Sequence, residues 1–296
     1  MTGPAPTHSP FDLGDDDAYR RWRAGKLAGA PRDIDDLLVA VADPLILSSG
    51  ERTALLQRVA RANLALFSWA RPTADTAVLR GFLAQLGLRR LDHNLGAEDD
   101  GVTEIAVRTG AERTYIPYTS RPLSWHTDGY YNPRDRQIRA WALFCVQDAD
   151  EGGANEFLDH EIAYIRLRDR NPAWVAALMA PDAMTIPANA GQEGSLRDAQ
   201  SGPVFSVDPH DGCLHMRYSA RQRNIQWRED PATREAAAAL LALFSAGDDH
   251  ILRFRLGPGQ GALSNNVLHR RDGFRDDPSH PRRILRARYY DRVDAA

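Results

Sequence analysis

The chain has 296 residues and a net charge of −3, with 37 basic side chains against 40 acidic ones, so charge gives no case for nucleic acid as a partner. Two cysteines, Cys145 and Cys213, are too few for a disulfide framework and suit a reducing compartment. No apolar run approaches the roughly 20 residues that cross a bilayer, so the expectation is a cytoplasmic globular enzyme without a membrane partner, and a homo-oligomer is compatible with the sequence.

In chain order, residues 1–13 are Pro-rich and then acidic and are expected to be disordered. One domain is expected over 14–296, with a helical lead-in to residue 100 and a catalytic core over 101–296. Helical patterns cover Asp15–Leu27, Ile34–Ala42, Gly50–Ala70 and Asp75–Leu86, the third placing Leu55, Val59, Leu64 and Leu66 among charged residues. After Gly87 the texture changes to short β-like runs: Glu104–Val107, Thr114–Pro117, Ile138–Val146, Ala183–Ile186, Val204–Val207, Cys213–Tyr218, His250–Leu256, Ala262–Leu268 and Ile284–Tyr290. Two helices interrupt them, His160–Arg168 and one from Asp230-Pro231 to Ala246 with Asp at the N-cap and Pro at the first helical position. Many short strands at this spacing predict an α+β protein with a mainly β core, a sandwich or barrel.

The chemistry concentrates at His126-Thr127-Asp128 and His269. In a strand His126 and Asp128 project to one face while Thr127 points away. His269, closing the apolar stretch 261–268, supplies a second imidazole from a distant strand. Two imidazoles and a carboxylate make the facial triad that holds non-heme Fe(II) with open positions for a co-substrate and O2.

Four landmarks carry a resemblance over roughly residues 100–292. Trp125 to Pro133 resembles the H-T-D-N-P-Y-R-D-P segment of the TauD/TfdA family, in its γ-butyrobetaine hydroxylase-like or clavaminate synthase-like branch. Gly152-Gly153-Ala154-Asn155 is similar to the family's G-G-x-T turn, Val267-Leu268-His269-Arg270-Arg271 to its V-L-H-G-R, and Arg283-Ile284-Leu285 through Tyr289-Tyr290-Asp291 to its R-H-L followed by Y-x-D. The resemblance implies a double-stranded β-helix, or jelly roll. It also implies Fe(II) on His126, Asp128 and His269, and 2-oxoglutarate as co-substrate. Together with O2 these oxidise a C–H bond, most often to an alcohol, as the co-substrate becomes succinate and CO2. Arg283 is then expected to hold the distal carboxylate of 2-oxoglutarate, as a planar fork suits. Asn155 stands where relatives place Thr or Ser, and its amide can donate to the same group. Alternation puts Arg283, Leu285, Ala287 and Tyr289 on one face, read as the interior, and Arg282, Arg286 and Arg288 on the other; a register error of one exchanges these sets. Ala287 removes an arginine that some sulfonate- and aryloxyacetate-using relatives carry, which argues against their substrates.

For the substrate, Arg121, Tyr130, Tyr131 and Asn132 flank the metal motif, and Tyr115, Tyr118 and Trp125 add rings that could cage a quaternary ammonium, although rings near strands more often pack a core. The expected substrate is a small polar metabolite, amino-acid- or betaine-like. The alternative reading is a catalytically inactive jelly-roll sensor that binds metal and 2-oxoglutarate. Among the other histidines, His160 reads as a helix-start residue and His215 as hydrogen-bonded or surface. No nucleophile elbow, P-loop or dinucleotide fingerprint is present.

Overall fold

The computed structural model describes residues 9–93, 101–107, 116–191, 194–221 and 225–293. Helix α1, Asp16–Gly29, starts where the Asp15 carboxylate accepts the Ala18 N–H. A 3-10 turn over Ile34–Leu37 leads into strand β1, Leu38–Val41. Helix α2, Ser49–Ala62, opens on a capping box of Ser48 and Glu51 and stops at Asn63, whose φ of 53° is left-handed. Strand β2, Leu64–Trp69, follows at once, and then α3, Thr76–Ala84, capped by Asp75. The next strands are β3, Thr103–Ile105, β4, Leu123–His126, β5, Ala140–Gln147, and β6, Asn155–Leu158. Helices α4, His160–Arg170, α5, Pro172–Leu178, and α6, Pro231–Ala246, start at Asp159, Asn171 and Asp230 caps. Four strands close the order: β7, Leu252–Phe254, β8, Gln260–Ser264, β9, Leu268–Arg271, and β10, Arg283–Tyr289.

The chain divides into two compact units. One gathers Pro31–Ser124, Ile138–Phe157 and Ile251–Ala296, the other Met1–Ala30, Trp125–Gln137 and Leu158–His250. This grouping differs from the expected lead-in and core, because α1 joins the inserted helices while residues from Pro31 onward join the strands.

The first unit is mainly β. A six-stranded sheet runs β1-β2-β8-β5-β10-β3, and β7, β6 and β9 lie side by side in a smaller sheet. Both faces of the larger sheet are buried. Ala142 and Phe144 of β5 join Leu55, Leu79 and Phe82 of the helices, whereas Trp141 joins Leu64, Leu66 and Ala262 together with Phe157 and Leu252 of the smaller sheet. Each of these large side chains contributes roughly 1.5–3 kcal/mol by leaving water. Close stacking explains Gly261, where an added Cβ would lie 2.1 Å from Phe67 Cζ and 2.6 Å from the Leu143 carbonyl oxygen.

The second unit packs α1, α4, α5 and α6 with short strands, among them Met184–Ile186 between Gln200–Gly202 and Gln226–Trp227, and the pair Phe205–Val207 with Leu214–Met216. Lys26, the single lysine of the chain, is buried here between Asp159 and Glu161. Burial works against its charge, yet the two carboxylates outweigh it and raise its pKa. Among the described residues no helix is long and apolar enough to cross a membrane.

Several expectations are corrected. The helices expected over Ile34–Ala42 and Gly50–Ala70 give way to β1 and β2 in their second halves. Both runs are apolar on each side, as a strand buried on two faces must be, and periodicity cannot separate that from a helix. Of the stretch 1–13, residues 1–8 lie outside the described residues, while Phe11 is buried edge-on against Trp22 and Tyr164. Thr114 and Tyr115 also lie outside them, and Ile116–Tyr118 forms a 3-10 turn. The expected strand 262–268 is broken: β8 ends at Ser264 and β9 begins at Leu268 in the other sheet.

Candidate metal centre

The carboxylate half of the centre grows from the end of β4. Trp125 turns away from His126, as alternation requires, and stacks on Phe244 at 5.1 Å. The backbone is then tied to residues 218–220. The Ala220 N–H donates to the Trp125 carbonyl at 2.8 Å, and the Thr127 N–H to the Tyr218 carbonyl at 3.0 Å. The buried Thr127 hydroxyl in turn accepts the Tyr218 N–H at 3.0 Å. Gly129, at φ 65°, bends the chain directly afterwards. His126 and Asp128 are left side by side and buried, Nε2 to Oδ1 at 3.5 Å.

His269 is the second residue of β9. Before it the chain turns through Asn266, a left-handed residue at φ 58° whose amide donates to the Ile138 carbonyl at 2.7 Å. The His269 Nδ1 lies 3.1 Å from the Val267 carbonyl oxygen. A carbonyl only accepts, so Nδ1 carries the proton and Nε2 keeps its lone pair for a metal. Trp141 packs on the ring at 4.8 Å between centroids. One possible ligand atom from each of His126, Asp128 and His269 lies within 4.8 Å of the others, and all three residues are buried. Two neutral imidazoles and one carboxylate at that separation suit a divalent transition metal and leave coordination positions unfilled.

The expected carboxylate-binding arginine lies elsewhere. Arg283 grips Glu104 through Nε at 3.2 Å and Nη2 at 2.7 Å, and both side chains are partly exposed. The pairing of β10 with β5 shifts between Arg283 and Ile284. Beyond that bulge Ile284, Arg286 and Arg288 pair with Cys145, Leu143 and Trp141, and directly paired residues share a face. That is the face of Trp141 and His269. Leu285, Ala287 and Tyr289 instead join the core under the helices. The set on the side of His269 is therefore not the one read as the interior: Arg282 is 6% exposed and Arg288 is 2% exposed, the latter paired with Asp92. Sequence reasoning took the face of Arg283 as the inside because Arg283 matched the family motif, but both faces of this sheet are buried and the other one is shared with Trp141 and His269.

Arg282 has no ion pair or side-chain hydrogen bond among the described residues. Its guanidinium lies over the Phe274 ring at 5.1 Å, and its Nε would stand 3.5 Å from a Cβ placed on Gly153. Burial lowers its pKa from the usual arginine range. Two residues beyond Gly153, Asn155 is buried and its Nδ2 has no hydrogen-bond partner among the described residues. The turn that carries them needs glycine at 152, where φ is 75° and a Cβ would come within 2.4 Å of the Gly273 carbonyl oxygen. Arg271, the neighbouring buried arginine, donates to the carbonyls of Pro117, Thr119 and Arg121, and burial together with Arg282 pushes its pKa down to about 9.

The flanking candidates separate. Tyr130 and Tyr131 stay close, Tyr130 edge-on to His126 at 6.4 Å and to Tyr131 at 5.2 Å. Asn132 donates to the Arg136 carbonyl within its own turn, and the Arg121 side chain is exposed. Tyr118 is core with Ile105 and Ile284, so the five rings do not assemble as a cage; Tyr115 lies outside the described residues. His160 is the first residue of α4 and is buried, its Nε2 3.0 Å from the Leu214 carbonyl oxygen. Arg282 was placed on the wrong side by sequence reasoning, and Arg197 and Arg217 near Tyr130 and Tyr131 were not singled out, because nothing in their local sequence distinguishes them from surface arginines.

Comparison with known proteins follows the same lines. The chain is 31% identical over 173 residues to a uridine-5′-phosphate dioxygenase of an Amycolatopsis species, a match covering 56% of this chain and 60% of that protein. A uridine-5′-phosphate dioxygenase of a Streptomyces species is 29% identical over 198 residues, 64% of this chain and 69% of the relative. A solved asparagine oxygenase, in complex with Fe(II), 3-hydroxyasparagine and succinate, shares the fold with a TM-score of 0.60 at 17% identity, covering 96% of this chain and 86% of that one. The Taurine catabolism dioxygenase TauD, TfdA family profile matches residues 29–288, most of the chain, and the chain belongs to that family.

Proposed function

We propose that the chain is an Fe(II)- and 2-oxoglutarate-dependent dioxygenase that oxidises a C–H bond of a small polar metabolite, most often to an alcohol. The buried cluster of His126, Asp128 and His269 carries this reading. Family membership and the dioxygenase names of the relatives support it. A complete, buried ligand set favours an enzyme over an inactive sensor. The two sheets are read as the halves of a double-stranded β-helix. Uridine-5′-phosphate, named for both relatives, is the first compound to try as substrate.

Bound Fe(II) would supply activation of O2, one oxygen atom entering succinate as CO2 leaves 2-oxoglutarate and the other entering the substrate C–H bond. His126, Asp128 and His269 would hold it. The Val267 carbonyl keeps the proton of His269 on Nδ1, and the Thr127 hydroxyl fixes the backbone between His126 and Asp128. Arg282 and the unpartnered Nδ2 of Asn155 are proposed to take the distal carboxylate, the role expected of Arg283. Trp141 covers the His269 ring and excludes water from that side.

The test is anaerobic addition of Fe(II) and 2-oxoglutarate with observation of the metal-to-ligand charge-transfer band. The wild-type protein is expected to form the band and Asp128→Ala to lack it. No band in the wild type would overturn the assignment.

A further inference from the structure

Arg217 and Arg197 are two guanidinium groups that, among the described residues, make no ion pair with a carboxylate. Arg217 is 4% exposed, and backbone oxygens alone satisfy it: Nε donates to Tyr130 at 2.8 Å, Nη1 to Met184 at 2.9 Å and Gly202 at 3.4 Å, and Nη2 to Gln200 at 2.7 Å. Carbonyls satisfy hydrogen bonds but leave the formal charge in place. Burial, and after it the charge of Arg197, push the Arg217 pKa down to about 10. Arg197 is less committed. Its Nη2 donates to the Pro187 carbonyl at 2.9 Å and its guanidinium lies over the Tyr131 ring at 5.6 Å. Its Nη1 is buried and has no hydrogen-bond partner among the described residues.

A buried guanidinium nitrogen without an acceptor costs about 1–3 kcal/mol or more, and a repelled second charge adds to that. An anion would remove both penalties. The position also connects to the metal residues through rings within the same unit: Arg197 over Tyr131, Tyr131 edge-on to Tyr130 at 5.2 Å, and Tyr130 edge-on to His126 at 6.4 Å. The Arg217 bond to the Tyr130 carbonyl holds this arrangement.

We infer that Arg197, backed by the charge of Arg217, is a substrate anion subsite, and that it takes a phosphate monoester in preference to a carboxylate. A dianion matches two uncompensated cations where a carboxylate matches one, and the guanidinium fork suits tetrahedral phosphate oxygens. Arg197 lies in the inserted region, far in sequence from Ala287, where some relatives carry a substrate arginine. The inference rests on the dioxygenase reading for the word substrate, but the anion site can be measured without it.

The probes are phenyl phosphate, benzoate and phenol, titrated calorimetrically and anaerobically into protein supplied with Fe(II) and 2-oxoglutarate. Phenyl phosphate is expected to bind at least about tenfold more tightly than benzoate, and phenol not measurably. Arg197→Gln is expected to weaken phenyl phosphate by about tenfold or more, and Arg197→Lys by less, while both keep the wild-type charge-transfer band as the sign of an intact fold and metal centre. No binding of phenyl phosphate to the wild type, equal affinity for benzoate, or unchanged affinity in Arg197→Gln would each overturn the subsite. Should Arg197→Gln fail to fold, the comparison of wild type with Arg197→Lys decides in the same way. Loss of the band in the wild type with phosphate binding intact would count against the dioxygenase reading and leave the anion site standing.

Discussion

Strands β4 and β10 both carry residues of the motif, and strand alternation applied to each gives opposite results. At the end of β4 the alternation places Trp125 away from His126 and Asp128, and the structure agrees. In β10 it correctly groups Arg283 with Leu285, Ala287 and Tyr289, yet that group lies on the face away from Trp141 and His269. The difference is in what marks the inside. On β4 the chemistry of the ligands marks it. On β10 the motif match of Arg283 was used instead, and both faces of that sheet are buried.

The strongest way to break this comparison is to remove a ligand on the β4 side. Asp128→Ala is expected to abolish the charge-transfer band and all 2-oxoglutarate turnover, read by succinate formation; measurable turnover at saturating Fe(II) would show that Asp128 is not a ligand. On the β10 side, Arg282→Ala should raise the 2-oxoglutarate concentration needed for half of the band by about 10- to 100-fold, the loss of a charge-assisted, doubly donated contact. Arg283→Ala, which frees only a partly exposed pair with Glu104, should change it by less than about twofold. The reverse order would restore Arg283 as the carboxylate partner.

Smaller effects sharpen the account of β4. Thr127→Val leaves the buried Tyr218 N–H without its acceptor, costing about 1–3 kcal/mol in chemical denaturation, and loosens the segment between two ligands. A drop of about tenfold in Fe(II) affinity should accompany it, as for other residues that orient ligands. Unchanged metal affinity with lowered stability would make Thr127 purely structural. The smallest effect lies away from both strands, at Asp248. Burial raises its pKa, but Arg166 and the His250 backbone N–H outweigh this and hold the carboxyl at about 2. A depressed carboxyl stabilises the fold above its unfolded pKa of about 3.9 and loses that contribution as pH falls towards 2. Asp248→Asn should therefore flatten the fall in melting temperature between pH 4 and pH 2, and an unaltered slope would contradict the assignment.

Much of the site was legible because its chemistry is local. His126-x-Asp128 needs only strand alternation, and the Gly152-Gly153 turn needs only left-handed backbone, as both glycines show at φ 75° and 72°. Helix α6 was legible from its Asp230 cap and from Pro231. The helical readings of Ile34–Ala42 and of residues 64–70 failed where apolar residues face both ways. Arg197 and Arg217 were out of reach because their significance lies in the partners that surround them among the described residues, a property of neighbours distant in sequence.

Residue chemistry and short-range geometry, read from the sequence alone, determined the ligand types, the pairing of His126 with Asp128 at the end of β4 and the family to which the chain belongs. Tertiary structure alone decided which face of β10 meets His269, where the strand ahead of His269 breaks, and which arginines stay unpaired. Those outcomes depend on long-range strand pairing and on burial of both sheet faces, and neither leaves a periodic signature in the chain.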